Sequence, residues 1–404
     1  MKKKIIFSFT ILLAIITGLI IASNKDKNYF KIEGYPNLKI MVSNNGEIVD
    51  AFPTKDPNLY YNVITTCDNA DTYWDYDNWE MVVSNLTKTS KCKVSFTSNT
   101  KSKAYDKIIS LWNNTDGTNN IFKEDHTFDD GETYTEYRYE GIDTEVNNYV
   151  WFNNELWRII GAFPGGTPTT SATSLGNRAP STNNTVKIIR NDVIGSFAWD
   201  KDNTNNWTTG ELNTNILNNL YLNSSTSTCN FFSTSVTKPC SFTKNGLKNV
   251  LDYIETATWN LGGGTASNAE TMYKNERGTT VYTSGTPIVT TAKVGLMYVS
   301  DYGYSVKNSS CNHSSISLGS YNKTACGGSA WMLKNGMEWT LSPTSGNASG
   351  VFEISRSADA DIHMSPNGDV AYYGRGARPV LYLNTNVYIT GGDGSINNPF
   401  QVGL

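Results

Sequence analysis

The chain has 404 residues, enough for two domains with small additions. It carries 33 basic and 37 acidic side chains, a net charge of −4, and only 17% of its residues are charged. That balance excludes a basic nucleic-acid footprint and an electrostatic tether to anionic lipid. Hydrophobic residues at 38% and aromatics at 12% supply material for cores, and Asn, Ser, Thr, Gly and Tyr stand where charge would be. Such a surface hydrogen-bonds in many directions and suits an exposed binding protein better than a metabolic enzyme.

Lys2, Lys3 and Lys4 precede an uncharged apolar run, Ile5–Ala22, which Asn24, Lys25, Asp26 and Lys27 stop. A basic start before an apolar stretch reads as an export signal. Cleavage after Ala22 would place bulky Ile20 at the third position back, so residues 1–27 read as an uncleaved helical anchor in a lipid bilayer, a cleaved signal being the alternative. The rest of the chain is then outside the cytoplasm. Six cysteines agree, in neighbouring couples Cys67/Cys92, Cys229/Cys240 and Cys311/Cys326. An even count in an exported chain implies disulfides, and sequential pairing closes the shortest loops. No close Cys pairs or histidine partners stand at zinc-site spacing.

Residues 38–97 read as a small β-sandwich module. Leu38, Ile40 and Val42 alternate with polar residues, and the runs at Val63–Thr65, Trp79–Val83 and Lys93–Phe96 continue in short strands broken by Asn45-Gly46 and Asp-rich loops. Residues 98–133 read as a linker with one short helix, Ala104–Trp112. Its acidic stretch of Glu124, Asp125, Asp129, Asp130 and Glu132 reads as solvated, since His126 breaks an EF-hand spacing.

The main domain is expected over 134–404. Tyr149–Phe152, Asn153-Asn154 and Glu155–Ile160 read as a hairpin, because Asn tolerates the positive φ of a two-residue turn. Val186–Arg190 follows as a strand. Thr208-x-x-Glu211 is a capping box before the stripe Leu212, Ile216, Leu217, Leu220 and Tyr221, with Trp207 as a hydrophobic staple, and Leu247, Val250, Leu251 and Ile254 make a second helical stripe. Strand-like segments recur at Val294–Tyr298, Trp339–Leu341, Val351–Ile354, Val370–Tyr372 and Pro379–Leu383. The pattern predicts an α+β domain whose sheet joins its two ends.

Three signatures stand out: Tyr149–Gly161, then Val294–Tyr298 with Asp301-Tyr302-Gly303-Tyr304, then Ala377–Leu383 with Ile389–Gly394 and Asn398-Pro399-Phe400. With them the chain resembles bacterial surface proteins that carry a C-type-lectin-like domain of unknown function, a fold shared more distantly with formylglycine-generating enzymes and phage variable receptor-binding proteins. The resemblance implies a C-type-lectin-like domain of two helices, antiparallel sheets and a long loop region. It also implies that the late strands present a binding face, here Tyr302, Tyr304, Arg356, Asp359, Asp361, His363, Tyr372, Tyr373 and Arg375. Tyrosine there supplies contact area at low rotamer cost. The lectin calcium and sugar motifs are missing, Ser365-Pro366-Asn367 lacking the carboxylate, and the cysteines are committed to disulfides rather than to an oxidase pair.

His126, His313 and His363 are isolated in sequence, and no metalloprotease, hydrolase, dinucleotide or Walker motif occurs. No cofactor and no catalytic residue are assigned; Asp200, Asp202 and Asn203 form a weak calcium candidate. Trp157, Trp199, Trp259 and Trp339 are expected in the core; the resemblance places Arg378 at the start of a buried strand, where it would need a carboxylate partner. The reading is a membrane-anchored extracellular protein of adhesion type that recognises a glycan or protein on another surface. The alternatives are a cell-wall glycan hydrolase or formylglycine-type oxidase, and a structural envelope protein.

Overall fold

A computed structural model describes residues 5–7, 29–32, 35–86, 88–166, 178–232, 236–324, 326–334, 336–356, 362–369 and 374–404. They fall in two compact units, 1–101 and 102–404. In the first unit, strand Tyr35–Asn44 runs parallel to Ser90–Thr100 and antiparallel to Phe30–Ile32, and turns back at Asn45-Gly46 into Glu47–Val49. Leu59–Cys67 borders Ser90–Thr100 on the other side, with Cys67 directly opposite Cys92. A second sheet holds Ile5–Phe7, Glu80–Ser84 and Asp71–Asp75. Period-two alternation turns Leu38, Ile40, Val42, Val94 and Phe96 to one face. They share a core with Trp74, Met81 and Val83 of the second sheet and with Trp79 in the turn between its last two strands. Trp74 meets Phe96, Phe52 and Trp79 edge-on at 4.9, 5.1 and 5.2 Å between ring centroids, the arrangement that aromatic quadrupoles favour.

The second unit is built on a ten-stranded sheet. Its centre is the hairpin Tyr149–Phe152 and Glu155–Phe163, and Asn153 and Asn154 take φ of 55° and 58°, as a primed two-residue turn requires. Thr185–Arg190, Val380–Leu383 and Val294-Gly295 extend the sheet one way; Phe400–Gly403, parallel to Tyr149–Phe152, Tyr388–Gly391 and Ser102-Lys103 extend it the other. The sheet thus joins the two ends of the unit. A five-stranded sheet lies apart in topology, in the order Gly195–Phe197, Arg375–Ala377, Glu338–Pro343, Gly350–Arg356 and Ile362–Asp369. Trp157, Trp199, Trp259 and Trp339 are each fully buried, as their apolar settings predict, and Trp207 is 2% exposed.

The expected α+β lectin-like architecture behind an N-terminal membrane helix is corrected here. Among the described residues strands far outweigh helices and are spread over several sheets. Among the described residues no helix is long and apolar enough to cross a membrane. Ile5–Phe7, at the head of the expected span, satisfies its backbone groups by pairing with Met81–Val83, and 8–28 lie outside the described residues.

Helical periodicity also overstated the helices. Leu212–Tyr221 is a ten-residue π-helix, and its stripe is buried as expected. Asn206, not Thr208, closes its approach: the Asn206 side chain accepts from the Thr208 backbone and hydroxyl at 3.1 and 2.7 Å. The second stripe is a 3-10 segment, Lys248–Tyr253, kinked where Val250 adopts φ −126°. In place of the acidic linker, Ile121–Thr127 pairs with Thr133–Tyr139, which in turn joins Glu155–Phe163.

Three disulfides close the sequential couples Cys67–Cys92, Cys229–Cys240 and Cys311–Cys326. The first closes a 25-residue separation in the smaller unit. We expect the paired substitution Cys67→Ala/Cys92→Ala to cost that unit about 3 kcal/mol, through the wider unfolded ensemble. Urea unfolding of the parent and the variant checks it.

Candidate functional site

The second unit carries an open cleft of about 600 Å³, lined by Asn191, Asp192, Val193, Ser196, Lys334, Gly336, Met337, Glu338 and 374–376. Two internal clamps shape it. On one side the Arg190 guanidinium forks onto Glu155, at 2.9 and 2.6 Å, and donates to the Asp192 and Val193 carbonyls at 2.8 and 2.9 Å. The 191–193 turn is therefore held by a bidentate pair. On the other side buried Arg378 donates to Glu338 at 2.9 Å and to the Met332 carbonyl at 2.7 Å, the carboxylate partner that its position demanded. Gly376 closes the floor. A Cβ there would stand 2.7 Å from Val193 Cγ1, so no larger residue fits without moving the wall.

The lining mixes charge with apolar surface. Arg375 donates to Glu353 at 2.6 Å and faces the buried Trp339 ring at 5.9 Å. Lys334 donates to Asn191 at 3.1 Å, and burial pulls its ammonium below the usual lysine range. Burial also raises the Glu338 carboxyl, against the pull of Arg378. Val193 and Met337 stand 41% and 39% exposed at the rim.

Of the face expected from the resemblance, Arg375 is the one described residue that lines this cleft. Tyr302 and Tyr304 are 1% and 2% exposed, in and just after the short helix Val299–Gly303, so they are core residues. Arg356 ends strand Gly350–Arg356 and pairs with Ile362, and His363 pairs with Ser355. Asp359, Asp361, Tyr372 and Tyr373 lie outside the described residues. The calcium candidate turns elsewhere: Asp200 accepts from the Thr204 backbone and hydroxyl at 3.0 and 2.8 Å, and Asp202 pairs with Lys201 at 2.8 Å. Both carboxylates are thus bonded within their own loop.

Behind the sheet lies a buried ionic network that sequence spacing did not reveal. Asp301 accepts from Arg138 Nη1 at 2.9 Å, Lys187 Nζ at 2.6 Å and the Tyr298 backbone at 2.8 Å, and all three side chains are essentially inaccessible. Glu136 accepts from Arg138, from His126 at 3.1 Å and from the Tyr273 hydroxyl at 3.0 Å. Burial alone would raise the Asp301 carboxyl; Lys187 and then Arg138 overturn that and hold it below its ordinary 3.8. Burial lowers Lys187 to about 8, against the pull of Asp301.

One further group meets nearby: Glu124 on strand Ile121–Thr127, Glu140 just past strand Thr133–Tyr139, and His313 inside the loop that Cys311–Cys326 closes. One ligand atom from each lies within 4.8 Å of the other two. Burial, then the neighbouring Glu124 carboxylate, pushes the Glu140 carboxyl well above its usual range.

Family models, curated proteins and solved structures offer no match to this chain.

A carboxylate held lower in the folded than in the unfolded chain contributes stability above the unfolded pKa and loses it as pH falls through the folded value. We expect Asp301→Asn, which leaves two buried cations short of a partner, to cost about 3–5 kcal/mol at neutral pH. The gap between parent and variant should close as pH drops below about 4. Urea midpoints at neutral and acid pH measure both.

Proposed function

We propose that this chain is an exported, disulfide-stapled binding protein of adhesion type, and that it takes a glycan or protein ligand from another surface in the cleft between 191–193 and 334–338. The observation that carries this reading is the cleft itself: concave, preformed, and clamped from behind by the Arg190–Glu155 and Arg378–Glu338 pairs. Three disulfides suit an oxidising, extracellular setting. The weakly charged surface and the signatures shared with surface proteins point the same way.

Between the two ligand classes the lining favours a polypeptide. Met337 and Val193 offer an apolar contact at the rim, and methionine adapts to the shape it meets. Asp192, Lys334 and Arg375 stand around it with charges of both signs, which select for a complementary sequence and speed encounter more than they add affinity. The clamps leave the cleft little to reorganise, which spares a ligand the cost of ordering its site.

The test is surface-plasmon screening of the purified chain against peptide and glycan arrays. We expect a ligand whose affinity falls at least about tenfold in the double variant Asp192→Ala/Met337→Ala, since truncating a well-placed rim contact costs on the order of 1–2 kcal/mol. Clean negatives on both arrays, or a ligand indifferent to the double variant, would overturn the cleft reading.

A further inference from the structure

We propose that Glu124, Glu140 and His313 form a site for a divalent first-row transition ion, with zinc as the probe, which ties the Cys311–Cys326 loop to the hairpin 121–139. The starting point is an imbalance. Glu140 is fully buried, and neither of its carboxylate oxygens receives a hydrogen bond of good geometry, the Asn308 backbone N–H being the one donor turned toward it. A second carboxylate, Glu124, brings an oxygen to within 4.8 Å of it. Of the nearby cations, Lys307 pairs with Glu145 at 3.3 Å and Arg138 with Glu136 and Asp301, so that Arg138 acts on Glu140 through space and not by direct contact. A buried pair of facing carboxylates calls for a proton or a metal ion.

His313 supplies the observation that favours the ion. It is 5% exposed, and its Nε2 lies 2.7 Å from the Val306 carbonyl. A carbonyl only accepts, so Nε2 carries the hydrogen, and Nδ1 is the nitrogen left to face the carboxylates. That Nδ1 has no hydrogen-bond partner and stands 3.7 Å from Glu124 Oε1. Two ligands about 2.0–2.2 Å from a tetrahedral zinc lie about 3.4 Å apart, so a few tenths of an ångström bring the pair to bonding geometry. An imidazole that donates one N–H to a backbone carbonyl and offers the other nitrogen is the usual posture of a metal-ligating histidine.

The surroundings hold each ligand in place. The His313 backbone N–H donates to Asn308 at 2.9 Å, and its carbonyl accepts from Glu270 N at 3.0 Å. Glu140 N donates to the Asn120 carbonyl, and Gly141 N donates to the Ser305 carbonyl. Tyr304 meets the His313 ring edge-on at 4.6 Å and walls the site from the core. Glu124, 18% exposed, gives the ion its path from solvent. Two carboxylates and one imidazole suit zinc or manganese; calcium would require six to eight oxygens, which three side chains do not reach. With three protein ligands, one position remains for water.

The experiment strips the full chain with a chelator, restores zinc, and measures bound metal by mass spectrometry after gel filtration together with the melting temperature. We expect one zinc per chain, a melting temperature raised by zinc and lowered by chelator, and a cobalt-substituted sample with tetrahedral ligand-field bands. Glu124→Gln, at the accessible rim, should weaken zinc binding by about 100-fold or more, since even outer-shell partners are worth 10–100-fold. Asp200→Asn, remote from these ligands, should bind as the parent does. Glu140→Gln separates the ion from a shared proton. It abolishes zinc uptake if the carboxylate is a ligand, but stabilises a metal-free protein by mimicking the protonated acid. No retained zinc with an unmoved melting temperature, or a Glu124→Gln variant that binds as well as the parent, overturns the proposal; should Glu140→Gln fail to fold, the cobalt spectrum of the parent and Glu124→Gln decide it.

Discussion

The second unit depends on one carboxylate. Asp301 joins Arg138 on strand Thr133–Tyr139 to Lys187 on strand Thr185–Arg190, and the same side chain caps the backbone of the helix on which it sits. A buried charge is tolerated only when it is paired and hydrogen-bonded, so each of these three groups needs the other two. Their mutual requirement sets where helix Val299–Gly303 lies against the sheet. Tyr304, at the end of that helix, is thereby held between His126 and His313, at 5.2 and 4.6 Å between centroids.

The same economy recurs at the cleft. A chain with few charges places many of them inside, where Arg190–Glu155 and Arg378–Glu338 act as internal braces rather than surface ornaments. Arginine suits this work because its planar fork reaches two acceptors at fixed angles. What remains outside is largely neutral and polar, so the rim of the cleft, with Met337 and Val193 exposed, stands out chemically from its surroundings. Rigid walls behind an adaptable rim are what a binding surface requires.

Cross-links carry the irregular regions. Short closures such as Cys311–Cys326 restrict the polar loops that a small apolar stripe could not hold alone. Within that loop His313 is brought against a hairpin far from it in sequence. The loop thus delivers chemistry to the sheet rather than merely connecting strands.

Local signals were legible where one residue type decides one conformation. Asn153-Asn154 announced a turn with positive φ, the alternation of Leu38, Ile40 and Val42 announced a strand face, and the neighbouring cysteines paired in order. Burial of the tryptophans followed from their apolar settings, and a carboxylate for Arg378 from the place the resemblance gave it before a buried strand. Long-range placement was not legible. Glu124 and the residues beside it looked like a solvated linker, because their pairing partners lie in a strand whose register only the folded sheet sets. Tyr302 and Tyr304 had the composition of a binding face and became core, since Asp301, just before them in the chain, is drawn inward by Arg138 and Lys187. Glu124, Glu140 and His313 carry no shared spacing; their meeting is a property of a disulfide-closed loop folded onto a hairpin. The sequence by itself determined the turns, the strand faces and the cross-links, which are local or entropic choices. Only the tertiary structure decided which charges meet, because Coulomb interactions depend on distance through space and not along the chain.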